Sequence, residues 1–163
     1  MQPERPGNQN PNRAMIGDFY VSTKEGKQVI REDLFDKKAL EIANKLYTNS
    51  SYNNRQHSSG VGGTQLRRIF DEVKRFEYLL QLNEDEWQNQ LPYIKMIKSK
   101  IRYTVARAIR NERDRDVVDC YEALASFISE GIDSIKEQQD YEVFLALFEA
   151  VYGFYYEHAP NRS

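Results

Sequence analysis

The sequence predicts an all-α chain, a single-domain helical bundle of about five helices behind a disordered N-terminal tail. Three observations carry this reading. Apolar residues recur at helical spacing over five separate stretches. No stretch alternates with period two for long enough to argue a buried strand. The 163 residues, 40% of them hydrophobic, suffice for one core and are too few for a large barrel of alternating strands and helices.

Residues 1–32 read as a tail, because Pro3, Pro6 and Pro11 stand among Gly, Asn and Gln and little of this can be buried. Within it Phe19, Tyr20, Val21, Val29 and Ile30 can dock locally without a regular element. The bundle domain spans 33–158, and 159–163 form a C-terminal end. Its first helix starts at Asp33, which can accept from free backbone N–H groups, and Asp36 adds negative charge to the first turn. Phe35, Ala39, Ile42 and Leu46 follow at helical spacing. The stretch 48–63 is rich in Ser and Asn and closes on Gly60-Val61-Gly62-Gly63. It reads as a long polar loop, either mobile or functional.

Thr64 is placed to cap the second helix, where Leu66, Ile69, Phe70, Val73, Phe76 and Leu80 share one stripe. Asn83 and Glu86 have capping-box spacing and open a short segment that Trp87 and Leu91 fix to the core. Pro92 suits the first turn of the third helix, whose Ile94, Ile97, Ile101, Val105 and Ala108 lie on one face. Asp114 or Asp116 opens the fourth helix, with Val117, Tyr121, Leu124, Ile128, Ile132 and Ile135 in line. Gly131 within it costs roughly 1 kcal/mol relative to alanine, which points to a bend or a close approach. The fifth helix starts near Asp140. Its aromatics, Phe144, Phe148, Tyr152, Phe154, Tyr155 and Tyr156, cover more than one face. They suit either a central buried helix or a contact for a protein partner.

Global charge selects no partner: 23 Lys+Arg against 25 Asp+Glu leave a formal −2. The charge is nonetheless segregated. Lys95, Lys98, Lys100, Arg102, Arg107 and Arg110 follow one another with no acid between Pro92 and Arg110, whereas Asp114, Asp116, Asp119, Glu122 and Glu130 dominate what comes next. A helix of uncompensated cations repels itself. It gains by meeting an anion, on another molecule or on the acidic helix that follows. At about 100° per residue, Lys95, Lys98 and Arg102 flank the isoleucine stripe, while Met96, Lys100, Tyr103 and Arg107 form a separate outward line. Two cations with a ring between them suit phosphates and the flat face of a base or ribose. The second helix adds Arg67, Arg68, Lys74 and Arg75, although Asp71 and Glu72 stand at (i, i+4) from Arg67 and Arg68 and can neutralise them. A solvated or internally paired face fits the same pattern.

Several chemistries lack their residues. One cysteine, Cys120, excludes an intrachain disulfide and a cysteine zinc cluster, and it reads as a buried inert thiol. No pair of Glu-x-x-His motifs is present for a di-iron bundle. The glycines before Thr64 lack the lysine of a phosphate loop. His57 reads as an idle loop residue, and His158 as a cation at a helix C-terminus. Glu84, Asp85 and Glu86 read as helix-start charge. No catalytic, metal or cofactor site is expected. No apolar run approaches the roughly 18 residues of a membrane span, and no hydrophobic leader opens the chain, so a cytoplasmic protein is expected.

Three blocks carry a resemblance. Thr64-Gln65-Leu66-Arg67-Arg68-Ile69-Phe70 follows a Gly/Ser-rich loop, Lys100-Ile101-Arg102-Tyr103-Thr104-Val105-Ala106-Arg107 lies on the basic helix, and Phe148-Glu149-Ala150-Val151-Tyr152-Gly153-Phe154-Tyr155 closes the chain. In order and spacing they resemble the small helical subunit of type III-A CRISPR effector complexes, the Csm complexes. Thr104 stands where that family usually has Ala, and Arg102 where it often has a small residue. The resemblance implies a non-catalytic, RNA-binding structural subunit in antiviral defence. Several copies would line the path of crRNA and target RNA, touching the repeating backbone subunit and the large subunit. Carried over by residue, RNA contact falls on Arg67, Arg68, Lys100 and Arg107, with Tyr103 packing. Geometry adds Lys74, Lys98 and Arg110. The rival expectation is a helical protein–protein interaction module or homodimer without nucleic-acid binding.

Overall fold

The apolar stripes meet in one core, and they do so on five helices. The computed structural model describes residues 14–52 and 55–158. Helix α1 (Ala39–Asn44) is preceded by a π-helical turn over Leu34–Lys38. It is followed by α2 (Gly63–Leu82), α3 (Trp87–Ile109), α4 (Arg115–Asp133) and α5 (Gln138–His158). Two small antiparallel hairpins accompany them: β1 (Tyr20–Ser22) with β2 (Gln28–Ile30), and β3 (Tyr47–Tyr52) with β4 (Arg55–Gly60). The all-α bundle of five helices is therefore the architecture, with minor strands.

Helix α5 is the central element. It buries Tyr141, Val143, Phe144, Leu145, Leu147, Phe148, Val151 and Tyr155, and it packs on α1, α2 and α4. Phe70, Phe127, Phe144 and Phe148 form a ring cluster with centroids 5.3–6.2 Å apart, a spacing at which edge-to-face pairs add to area burial. The two buried tyrosine hydroxyls of α5 are satisfied by carbonyls. Tyr141 donates to Val73 at 2.6 Å, and Tyr155 donates to Val61. Of the aromatics that suited either a core or a partner, only Tyr156 is mainly exposed, at 73%. The core reading accounts for the rest.

Gly131 marks a close approach. A Cβ there would lie 2.0 Å from Cε2 of Phe144, so the α4–α5 crossing admits only glycine without a shift. Helix starts follow their acids. Asp114 accepts from the Asp116 N–H at 2.9 Å and opens α4. Asp140 accepts from the N–H groups of Lys136 and Glu137, both at 3.0 Å, and so closes the first turn of α5 from within. Three expected starts differ. Asp33 makes no side-chain cap, because its Oδ1 accepts from Arg31 Nε at 2.7 Å. Thr64 does not cap α2, which begins at Gly63 with no side-chain cap. Pro92 does not begin a helix. Asn83 accepts from the Asp85 N–H at 3.1 Å and opens a 3₁₀ turn that runs straight into α3, placing Pro92 in the second turn of that helix. The segment of Trp87 and Leu91 is thus part of α3.

Of the tail expected over 1–32, the structure describes residues 14–32. From Met15 onward the chain packs on the bundle, with Ile16 and Phe19 buried. The cause is long-range: the Glu130 carboxylate on α4 accepts from the N–H groups of Met15, Ile16 and Gly17 at 2.8–3.0 Å. The Tyr20 hydroxyl donates to Asp140 at 2.8 Å, and Arg31 donates to the Ile16 and Asp18 carbonyls. The expected polar loop over 48–63 is likewise the β3–β4 hairpin. Its base is fixed at Gly60, where φ is +131° and a Cβ would lie 2.6 Å from the Leu46 carbonyl oxygen. Residues 1–13 and 159–163, and the side chain of His57, lie outside the described residues.

Candidate nucleic-acid interface

Helix α3 lies between α2 and α4, and its two lines of cations meet different neighbours. The line beside the isoleucine stripe turns to α4. Lys95 donates to the carbonyls of Ile132 and Ile135 at 2.7 and 2.6 Å at the end of α4, where Ile132 also accepts from the Ile135 N–H at 3.1 Å. Burial pushes its ammonium below the ordinary lysine range, opposed in part by Asp133. Lys98 pairs with Asp133 at 2.5 Å, and Arg102 stands 3.8 Å from Glu122. The acidic helix is thus the anion that this edge meets.

The other line turns to α2. Between the two helices runs a cleft of about 580 Å³, into which Arg68 comes from α2 and Lys100, Tyr103 and Arg107 from α3. The sequence separates Arg68 from Arg107 by most of a helical hairpin. The antiparallel return through the turn Glu84–Glu86 brings them to one wall and its opposite. Tyr103 is 67% exposed on the rim, with its ring free of the core. Among the described residues, Arg68, Arg107 and Arg110 have no carboxylate partner.

The cleft also holds one acid that the charge pattern misplaced. Glu72, set opposite Arg68 by (i, i+4) spacing, instead accepts from Lys100 across the cleft and stands 3.5 Å from Arg75. Its own helix supplied the wrong partner because the (i, i+4) rule sees one helix only. Asp71 does pair with Arg67, at 3.8 Å on an open surface.

Four of the eight expected contact residues therefore share a site: Arg68, Lys100, Tyr103 and Arg107. Arg67 lies outward of it beside Asp71, and Arg110 is exposed at the end of α3. Lys74 sits over the Phe70 ring, 5.7 Å from its centroid, away from the cleft. Lys98 is committed to α4.

Other reactive groups are held in structural settings. Burial pushes the Cys120 thiol up to about 11, with Asp116, Asp119 and Asp114 adding to it. His158 ends α5, where its carbonyl accepts from Ser58 and its ring lies 5.7 Å from that of Tyr47. Among the described residues no group of three His, Cys, Asp or Glu side chains is placed to hold a metal ion. No helix among them is long and apolar enough to cross a membrane.

No curated protein and no solved structure matches the chain. The family model described as Csm2 Type III-A matches residues 34–160, a span that takes in all five helices and the whole cleft. The chain therefore belongs to the Csm2 type III-A family, a subunit of type III-A CRISPR effectors that assembles within the Csm complex.

Proposed function

We propose that this subunit contacts the phosphate backbone of crRNA and target RNA through the α2–α3 cleft and serves the complex without catalysing a reaction. The observation that carries this reading is the convergence of Arg68, Lys100 and Arg107 on one cleft with an exposed tyrosine at its rim. Guanidinium and ammonium groups bind phosphates without reading bases, so contact would be sequence-tolerant. A ring beside them offers a stacking surface. Only a few phosphates are met per copy, so a single chain would bind weakly and with strong salt dependence. Several copies in one complex would add their contacts along the duplex.

The repeating backbone subunit, the large subunit and further copies of this chain are the proposed protein partners. Where the hairpin of α2 and α3 turns, Tyr78, Leu82, Tyr93 and Met96 are exposed. Large apolar side chains on a free surface favour protein contact. They take the place of the last helix, whose aromatics are mostly buried.

The test is RNA binding by the full chain as salt is raised, beside Arg68→Glu/Arg107→Glu. Wild-type binding should weaken with salt, and the double variant should bind about tenfold more weakly or worse, with a shallower salt slope. Its melting temperature should hold, because both side chains are exposed. Equal RNA binding by variant and wild type would leave the interaction-module reading in its place.

A further inference from the structure

The cleft carries its own competitor for phosphate. Glu72 projects into it from α2, with its side chain only 29% exposed, and one of its oxygens, Oε1, faces both Lys100 and Arg75. Arg68 and Arg107 line the same cleft with no carboxylate partner among the described residues. An anion entering here would find two cations ready and a third already neutralised. It would also approach a fixed negative charge of its own sign in a partly desolvated setting, where repulsion is less screened than in bulk water.

We propose that Glu72 is an internal counter-ion that sets the affinity of the cleft for RNA phosphate. In the free subunit it holds Lys100. On RNA binding Lys100 exchanges this carboxylate for a phosphate oxygen, and Glu72 is left to Arg75. The exchange replaces one charge-assisted hydrogen bond by another, so it is nearly balanced. A single copy would then release RNA readily, while neighbouring copies acting together would hold it. This inference rests on the RNA-backbone reading above and adds a restraint built into that site.

The test measures binding of a short RNA duplex, and of the same sequence as DNA, to the full chain, Glu72→Gln and Glu72→Ala. Glutamine keeps the size and an acceptor oxygen but removes the charge. Both variants should bind the two duplexes more tightly, by about three- to tenfold, from loss of one opposing charge and release of one cation. Their log–log salt slope should stay that of the wild type, because Lys100 meets a phosphate in both complexes. Thermal melts check that both variants fold. Unchanged binding would overturn the proposal, and so would weaker binding to RNA alone, which would make Glu72 an acceptor for the ribose 2′-hydroxyl. The underlying reading fails separately, by an Arg68→Glu/Arg107→Glu variant that binds as wild type does.

Discussion

The two edges of α3 carry similar side chains and do different work. Lys95, Lys98 and Arg102 meet the carbonyls and carboxylates of α4, while Lys100, Tyr103 and Arg107 look across a cleft at Arg68. What separates them is the neighbour. Helix α4 brings acids and the carbonyls at its C-terminal end, so that edge is saturated from within. Helix α2 brings an arginine and a single glutamate, so the facing edge keeps cations in surplus. A count of charges along α3 gives one basic helix; the packing divides it into an edge paired with α4 and an edge that faces the α2–α3 cleft, where RNA contact is proposed.

The comparison sharpens under substitution. The largest stability effect is expected from Lys95→Met. The methionine keeps much of the stem's apolar packing but removes the ammonium that the Ile132 and Ile135 carbonyls share. Chemical denaturation should show a loss of about 1–3 kcal/mol, with RNA binding unchanged. A loss of RNA binding in a folded variant would mean that the edge paired with α4 also reaches RNA.

A smaller effect belongs to Asp140, which holds the start of α5 beside the end of α4 that Lys95 secures. Burial alone would raise the Asp140 carboxyl. The N–H groups of Glu137 and Lys136, followed by the Tyr20 hydroxyl and Lys136, overcome this and hold it below the usual carboxylate range. Such a group takes up protons more readily when unfolded. Its contribution is therefore full above the ordinary carboxylate range and drains away as pH falls through it. Asp140→Ala should cost about 1 kcal/mol at neutral pH. The gap to wild type should close from about pH 4 downward. A gap independent of pH would show that the hydrogen bonds of the charged form are not its source.

Much of the fold was legible because its signals are local. The isoleucine stripe of α3, the stripe of α2 and the acid that opens α4 lie within one helix each, where a period of about 3.6 can be read. The two lines of cations were legible for the same reason. Their assignment was not, since it depends on which helix packs on each side. The capture of Met15, Ile16 and Gly17 by Glu130 spans more than a hundred residues and leaves no local pattern. The β1–β2 hairpin had a weak signal in Val21, Val29 and Ile30 around Gly26, whose φ is +79°, but the strands are too short for alternation to show. Glu72 was visible as a charge, and its partner across the cleft was not.

The most direct measurement sets the two edges against each other within one helix. Lys100→Glu/Arg107→Glu and Lys98→Glu/Arg102→Glu change net charge equally and differ only in the side they face. RNA binding is measured for both at the same salt, beside thermal melts. The cleft-side pair should lose about tenfold or more in affinity. The α4-side pair should melt lower, because it sets glutamates against Asp133 and Glu122, yet bind RNA as wild type does. Equal losses of RNA binding from the two pairs would contradict the account, because binding would then follow net charge and not the cleft.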